Sequence, residues 1–373
     1  MSRKPIPLAR PWTGAEELAE LGRVLESGVL SRGQMLTAFE QAFATLCGTR
    51  YAVGVNSGTS ALQIALEAFG IGDGDEVITV SYTFIGTLNA IVRTGARPVL
   101  VDVDPQTLNI DPERAAEAVT QRTRALLVVH LFGRPAPMDR LRELARVHDL
   151  RIIEDACEAV GAQSGGRAVG GLGDAGCFGF YPNKPVATGE GGMIVLDDPD
   201  AATRCRQLRN QGLDPLTGTR HPDRAGLSAR LSELQAALGV VQLARLDASL
   251  QARRMLAELY LDALAGLPGL ELPAPAGPGD RISWFTFPVR VADCSMRDRL
   301  RRHLASDGIE TGWYFPAAHQ LPPYDRLRPR HELPVTEDIA ARCLALPLYP
   351  ELDEASVRWI CSRVRAALGA VTG

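Results

Sequence analysis

Lysine is almost missing from this chain. Of its 40 lysines and arginines only Lys4 and Lys184 are lysines, and the rest are arginines. Long apolar runs are missing too: none approaches the ~20 residues that cross a bilayer, and the opening "MSRKPIPLARPW" has no signal-peptide core, so the expectation is a cytoplasmic protein with no membrane partner. The seven cysteines form no CxxC pair, which argues against a metal site or a disulfide framework. No basic tract suggests nucleic acid and no acidic tail suggests a solvating arm; the net charge is −4 with both signs mixed along the chain.

What is present is an enzyme-like composition, 46% hydrophobic and 23% charged over 373 residues. That length exceeds what one core usually serves, so two domains are expected. Up to about residue 196 short Val- and Ile-rich segments alternate with helical ones. "YAVGV" precedes "SALQIALEAFG", "DEVITV" precedes "IGTLNAIVRTG", "RPVLVDV" precedes "DPERAAEAVT", and "RALLVVH" precedes "MDRLRELARVHDL". "RIIEDA" follows, then "GCFGFY" and "GGMIVL". Strands without clean alternation suit a mostly parallel sheet buried on both faces between helices. From residue 229 a long helical pattern leads into a Pro/Gly-rich stretch and a smaller α+β region. The expected division is 1–245, a large α/β domain with an N-terminal helical segment, and 246–373, a small C-terminal α+β domain.

Open parallel sheets bind ligands beyond the carboxyl ends of their strands, and three features fall there. In "NSGTSALQ" a strand turns into a helix; Gly58 permits a tight turn, while Thr59 and Ser60 offer amides and hydroxyls to an anion, although an ordinary helix cap reads the same way. Asp155 ends the strand "RIIED", with Glu158 three residues on, on the same side if a helix follows. Lys184 stands in "FYPNKPVATGEGG". A surface lysine is the ordinary reading, but this chain writes its surface charges as arginine. Arginine cannot stand in where an amine must lose its proton, and a Schiff base to a carbonyl needs that neutral amine. Pyridoxal 5'-phosphate requires all three features: an amine for its aldehyde, an acid for its ring nitrogen and a cradle for its phosphate.

In those stretches, together with "SGVLSRGQMLTAFEQAFA", "VVHLFGRPAPMD" and "ARLSELQAALGVVQLARLD", the chain resembles the DegT/DnrJ/EryC1/StrS family of sugar aminotransferases over nearly its whole length. The resemblance implies a fold-type-I pyridoxal phosphate-dependent transferase. It implies a homodimer with the site shared between chains, an amino-acid donor expected to be L-glutamate, and a nucleotide-linked ketosugar as acceptor. By position it implies that Lys184 bonds to the cofactor and shuttles the proton. Asp155 would pair with the ring nitrogen, Thr59 with the amides of Gly58 and Ser60 would hold the phosphate, and Phe84 would stack on the ring. Glu158 would lie close to the cofactor, where the family usually has glutamine. Ser228 replaces a family asparagine that reaches the partner's phosphate, and Arg230 would meet substrate across the dimer. Gly179 stands where the family commonly has a phosphate-binding serine. In "TGWYFPAAHQLPPY", Tyr314, His319 and Tyr324 are candidates for substrate contact, weighed equally against loop packing. His130 reads more readily as a packed strand-end histidine.

The runner-up readings keep the fold: amination of a cyclitol or other ring ketone, a sugar dehydratase, or a non-catalytic binding protein. A nicotinamide enzyme is disfavoured, because the first strand-to-helix turn reads "GVNSGTSA" with no GxGxxG.

Overall fold

The computed structural model describes residues 4–214, 217–219, 225–326 and 329–369. In chain order the elements are α1 (Ala15–Ser27), α2 (Gln34–Cys47), β1 (Tyr51–Val55), α3 (Gly58–Ala68), β2 (Glu76–Val80), α4 (Gly86–Arg93), β3 (Arg97–Val101), α5 (Pro112–Glu117), β4 (Thr123–Val129), α6 (Met138–His148), β5 (Arg151–Asp155), β6 (Gln163–Ser164), β7 (Arg167–Ala168), β8 (Ala175–Gly179), β9 (Gly192–Leu196) and α7 (Pro199–Leu208). Then follow α8 (Glu233–Ala244), α9 (Leu246–Leu264), β10 (Leu270–Glu271), β11 (Phe287–Val291), α10 (Cys294–Ser306), α11 (Pro334–Arg342), β12 (Cys343–Leu346) and α12 (Glu354–Gly369).

The central sheet runs β1-β9-β8-β5-β4-β2-β3. Its β5–β8, β4–β5, β2–β4 and β2–β3 pairs are parallel, and β9 lies antiparallel to both β1 and β8. The interior strands are apolar and buried at nearly every position, Arg124 at the start of β4 being exposed, as helices on both faces require. Six of the seven strands point the same way, so their carboxyl ends share one edge of the sheet.

Two large hydrophobic cores form, beside a small cluster of Leu88, Leu100, Ala318, Tyr324 and Leu333. The first packs the sheet against α2, α3 and α6. The second gathers β11, β12, α10 and α12. Helix α9 serves both, giving Leu246 and Leu250 to the first and Leu256, Tyr260 and Leu264 to the second. Chain order does not sort residues cleanly between them. Ile6 joins the second core and pairs with Ile309, while Phe315, Ile339 and Cys343 join the first.

Two local readings change. The long helical pattern from residue 229 is two helices interrupted at Arg245, whose backbone leaves the helical region. Its guanidinium reaches instead to Glu17 of α1, an ion pair in which Glu17 also accepts from Gln242 at 2.6 Å. After Asp155 the chain makes turns, not a helix, so Glu158 is placed by turn geometry.

Candidate active site

At the carboxyl edge of the sheet the first turn of α3 is wedged between strand ends. A Cβ on Gly58 would lie 2.7 Å from Cys157 Sγ and 3.2 Å from Gly179 Cα, and one on Gly192 would collide with the Ser57 carbonyl. These positions hold glycine because backbones meet there. Ser57 is the N-cap: its Oγ accepts from the Ser60 amide at 3.1 Å and contacts the Ser60 hydroxyl at 2.9 Å. Ser60, expected to offer its amide to a phosphate, has therefore given it to the cap. The amides of Gly58 and Thr59 find no acceptor among the described residues, as the first residues of a helix leave theirs. Thr59 Oγ1 faces Gly86, the first residue of α4, closely enough that a Cβ there would stand 2.8 Å away. Two helix N-termini thus converge, each favouring negative charge.

Asp155 ends β5 and is 6% exposed. One oxygen accepts from the Thr87 hydroxyl at 2.8 Å, and the other from the Cys157 amide at 3.2 Å. Thr87 is itself paired with Thr83. No lysine, arginine or histidine among the described residues forms an ion pair with Asp155, so a buried carboxylate stands without a cation. Burial above all pushes the neighbouring Cys157 thiol well up, and the Asp155 charge adds to it.

Lys184 sits in the loop joining the antiparallel pair β8 and β9, which closes through Phe180 N–H to Gly191 O and Thr188 N–H to Phe180 O, both 2.9 Å. Its Nζ lies 3.4 Å from Glu158 Oε1 and 4.0 Å from the centroid of Phe285. The other Glu158 oxygen accepts from the Phe132 amide at 2.9 Å. Burial raises the Glu158 carboxyl above its usual range, with the Lys184 charge working against the rise. Beside the lysine, Asn183 Oδ1 is buried with no partner, while its amide nitrogen reaches Tyr314 Oη at 3.5 Å.

A run of rings walls the site. Phe285 stacks on Tyr314, Tyr314 on Phe315, and Phe315 on Phe132 with ring planes 10° apart. Phe132 and Trp284 both adopt left-handed backbone, φ 57° and 53°, a conformation bulky residues rarely hold. These turns lock together, Ser283 N–H donating to Gly133 O at 2.9 Å and Phe285 N–H to Phe132 O at 3.3 Å. Behind them Arg253, fully buried, donates to the carbonyls of Trp284, Phe285 and Leu348. A small cavity of about 10 Å³ touching Lys184 is lined by Arg10, Trp12, Gln242, Arg245 and Arg253. Phe285, Phe315, Phe132 and Thr87 were not singled out from the sequence. Thr87 lies near Phe84, Phe132 in "VVHLFGRPAPMD" and Phe315 next to Tyr314; only Phe285 falls outside every stretch singled out.

Phe84 is 59% exposed and its ring stands 6.1 Å from Phe315, a flat apolar face open at the mouth of the site. The remaining candidates have other partners within this chain. His319, weighed as a substrate contact, has both ring nitrogens occupied, Nδ1 with Ser81 Oγ at 2.7 Å and Nε2 with Glu337 at 3.1 Å; it braces β2 to α11. Tyr324 is buried against Leu88 and Leu100 and donates to Asn89. His130 is fully buried; its Nδ1 accepts from the Ala136 amide, so Nε2–H donates to Glu154 at 3.0 Å. Arg230 folds onto Ser228 Oγ and Asn210 Oδ1, at 2.8 and 3.0 Å, on a segment bridged to the end of β1. Within this chain neither Arg230 nor Ser228 contacts Lys184.

These residues fit pyridoxal 5'-phosphate. The open amides of Gly58 and Thr59, with the Thr59 hydroxyl, suit a phosphate. The uncompensated Asp155 suits a protonated ring nitrogen, and the primary amine of Lys184 suits an aldehyde.

Comparison with known proteins agrees. The sequence model described as the DegT/DnrJ/EryC1/StrS aminotransferase family matches residues 11–365. The chain is 44% identical to a dTDP-3-amino-3,4,6-trideoxy-alpha-D-glucose transaminase of Streptomyces venezuelae, covering 94% of this chain and 92% of that protein. It is 41% identical to a GDP-perosamine synthase of Caulobacter vibrioides, covering 92% and 91%. Among solved structures, S. venezuelae DesV in complex with a ketimine intermediate superposes with a TM-score of 0.92 at 41% identity, over 98% of this chain and 99% of that one. DesI, solved with its TDP-sugar product, gives 0.91 at 36% identity, over 98% and 93%.

Proposed function

The chain belongs to the DegT/DnrJ/EryC1/StrS aminotransferase family, and from that premise we propose that it moves an amino group from L-glutamate to the keto carbon of a nucleotide-linked deoxysugar. It is a pyridoxal phosphate-dependent aminotransferase of the fold-type-I class. The observation that carries the reading is the placement of Lys184 Nζ beside Glu158 and over Phe285, at the same sheet edge as an uncompensated Asp155 and the open start of α3. The sugar acceptor is supported by the two relatives above 40% identity, one named for a dTDP-linked and the other for a GDP-linked amino sugar.

Bound pyridoxal phosphate supplies an aldehyde that bonds to amines and a ring that delocalises negative charge. The protein supplies the rest. Gly58, Thr59 and the two helix N-termini hold the phosphate end. Asp155, its oxygens oriented by Thr87 and the Cys157 amide, keeps the ring nitrogen protonated. With the cofactor bound, Lys184 would be the base that accepts the donor's α-carbon proton at Nζ and the acid that gives it back, serving both half-reactions. The ring wall of Phe285, Tyr314 and Phe315 covers one side of the lysine, whose side chain stays 13% exposed. A second copy completes the site: Phe84 and Tyr181 stand exposed beside it, and Ser228 and Arg230 lie at the edge, where the partner's site would receive them. No helix among the described residues is long and apolar enough to cross a membrane, and we place the enzyme in the cytoplasm.

Incubation with glutamate and a panel of nucleotide-linked ketosugars, read by mass, tests this reading. One member of the panel is expected to gain an amino group while 2-oxoglutarate accumulates. Amination of free cyclitols alone, or loss of water without gain of nitrogen, would replace the reading.

A further inference from the structure

Glu158 is held more firmly than a cofactor contact requires. Its Oε2 is fixed by the Phe132 amide at 2.9 Å, which faces it because Phe132 adopts left-handed backbone. Strained backbone of this kind persists where surrounding structure enforces it. Its main-chain carbonyl is met by Ser283 Oγ at 3.5 Å. What remains free is Oε1, and that oxygen faces Lys184 Nζ at 3.4 Å. A glutamine would accept from Phe132 equally well but would turn an N–H donor toward the amine. The distinguishing property of the residue is therefore its capacity to take a proton.

We propose that Glu158 is a positioning residue that shares one proton with Lys184: as Nζ gives up its proton the N–H bond breaks, an O–H bond forms at Glu158 Oε1, and the transfer reverses when the amine is recharged. No electrons change hands and no co-reactant is needed. The charged and titratable groups facing Glu158 are Lys184 from the β8–β9 loop, Asp155 from the end of β5, and Tyr314 from the segment between α10 and α11. Burial raises the carboxyl, the Asp155 charge adds to the rise, and Lys184 opposes it, which suits a group that must accept a proton from an ammonium. The inference rests on the aminotransferase reading of the site.

The sign follows from charge. A carboxylate beside an amine favours its charged form, so Glu158→Gln is expected to leave Lys184 reactive at lower pH. The test is pH-dependent labelling of the full-length apoenzyme with trinitrobenzenesulfonate, read by mass at each lysine. Exposed Lys4, the only other lysine, is the internal reference. In Glu158→Gln the Lys184 curve is expected to move down while the Lys4 curve stays put, and Glu158→Asp is expected to move it less. The pH midpoint of the visible absorbance of the cofactor-loaded enzyme should shift the same way. Lys184 curves that superimpose across wild type, Glu158→Gln and Glu158→Asp would overturn the proposal. Because labelling needs neither cofactor nor substrate, that outcome would leave the aminotransferase reading standing.

Discussion

Two consecutive residues of β5 carry buried carboxylates, and their surroundings could hardly differ more. Glu154 is saturated: it accepts from the amides of Gly170, Leu172 and Gly173 at 2.6–2.7 Å and from His130 Nε2 at 3.0 Å. Asp155, on the opposite face because side chains alternate along a strand, has a hydroxyl and one long amide contact and, among the described residues, no cation. A buried charge normally demands full compensation. The face that receives it is structural, and the face that does not is waiting for a ligand. Lys184 and Asn183 lie on the uncompensated side: the lysine has one 3.4 Å carboxylate contact, and the Asn183 carbonyl oxygen has none.

Exchanging the two roles by mutation should separate them. Asp155→Asn is expected to lower kcat by about 10²-fold or more, the scale for removing one preorganised charged group, at a stability cost of about 1 kcal/mol. Glu154→Ala is expected to do the reverse. It strands three amides and a histidine in the core, so denaturant unfolding should show a loss of about 3–5 kcal/mol, with kcat per folded molecule nearly kept. If Asp155→Asn proved the less stable protein and Glu154→Ala the less active, the contrast would fail. A smaller effect sharpens it at the edge of the site. Gly192→Ala forces a Cβ into the Ser57 carbonyl and should displace the start of α3, weakening cofactor affinity measured by dialysis. Gly179→Ala meets only ordinary contacts, 3.5 Å from Gly58 Cα and Cys157 Sγ, and should bind the cofactor within about 0.5 kcal/mol of wild type.

The contrast also marks what the sequence made legible. The strand–helix alternation, the lone internal lysine and the strand-end acid could be read because each is a local pattern or a residue type with a chemical reason to be there. Glu154 and Asp155 are chemically alike on the page, and only the fold reveals that one is filled by the 170–173 turn. As a wall, Phe285, Tyr314, Phe315 and Phe132 were illegible for the same reason: they come from three distant segments and carry no spacing, and only Tyr314 was a candidate. His319 and Tyr324 share a loop with Tyr314, and their partners Ser81, Glu337 and Asn89 come from distant segments that the sequence does not pair. The helix break at Arg245 is set by Glu17, far away in the chain, which helical periodicity does not sense.

Borohydride reduction of the cofactor-loaded enzyme, followed by peptide mapping, tests the central claim most directly. The expected result is loss of the visible absorbance and a reduced pyridoxyl group on Lys184 alone, with Lys184→Ala neither labelled nor turning over. A pyridoxyl group on Lys4, no covalent attachment at all, or full activity in Lys184→Ala would contradict the claim that the uncompensated face of β5 was left open for a cofactor bonded to that lysine.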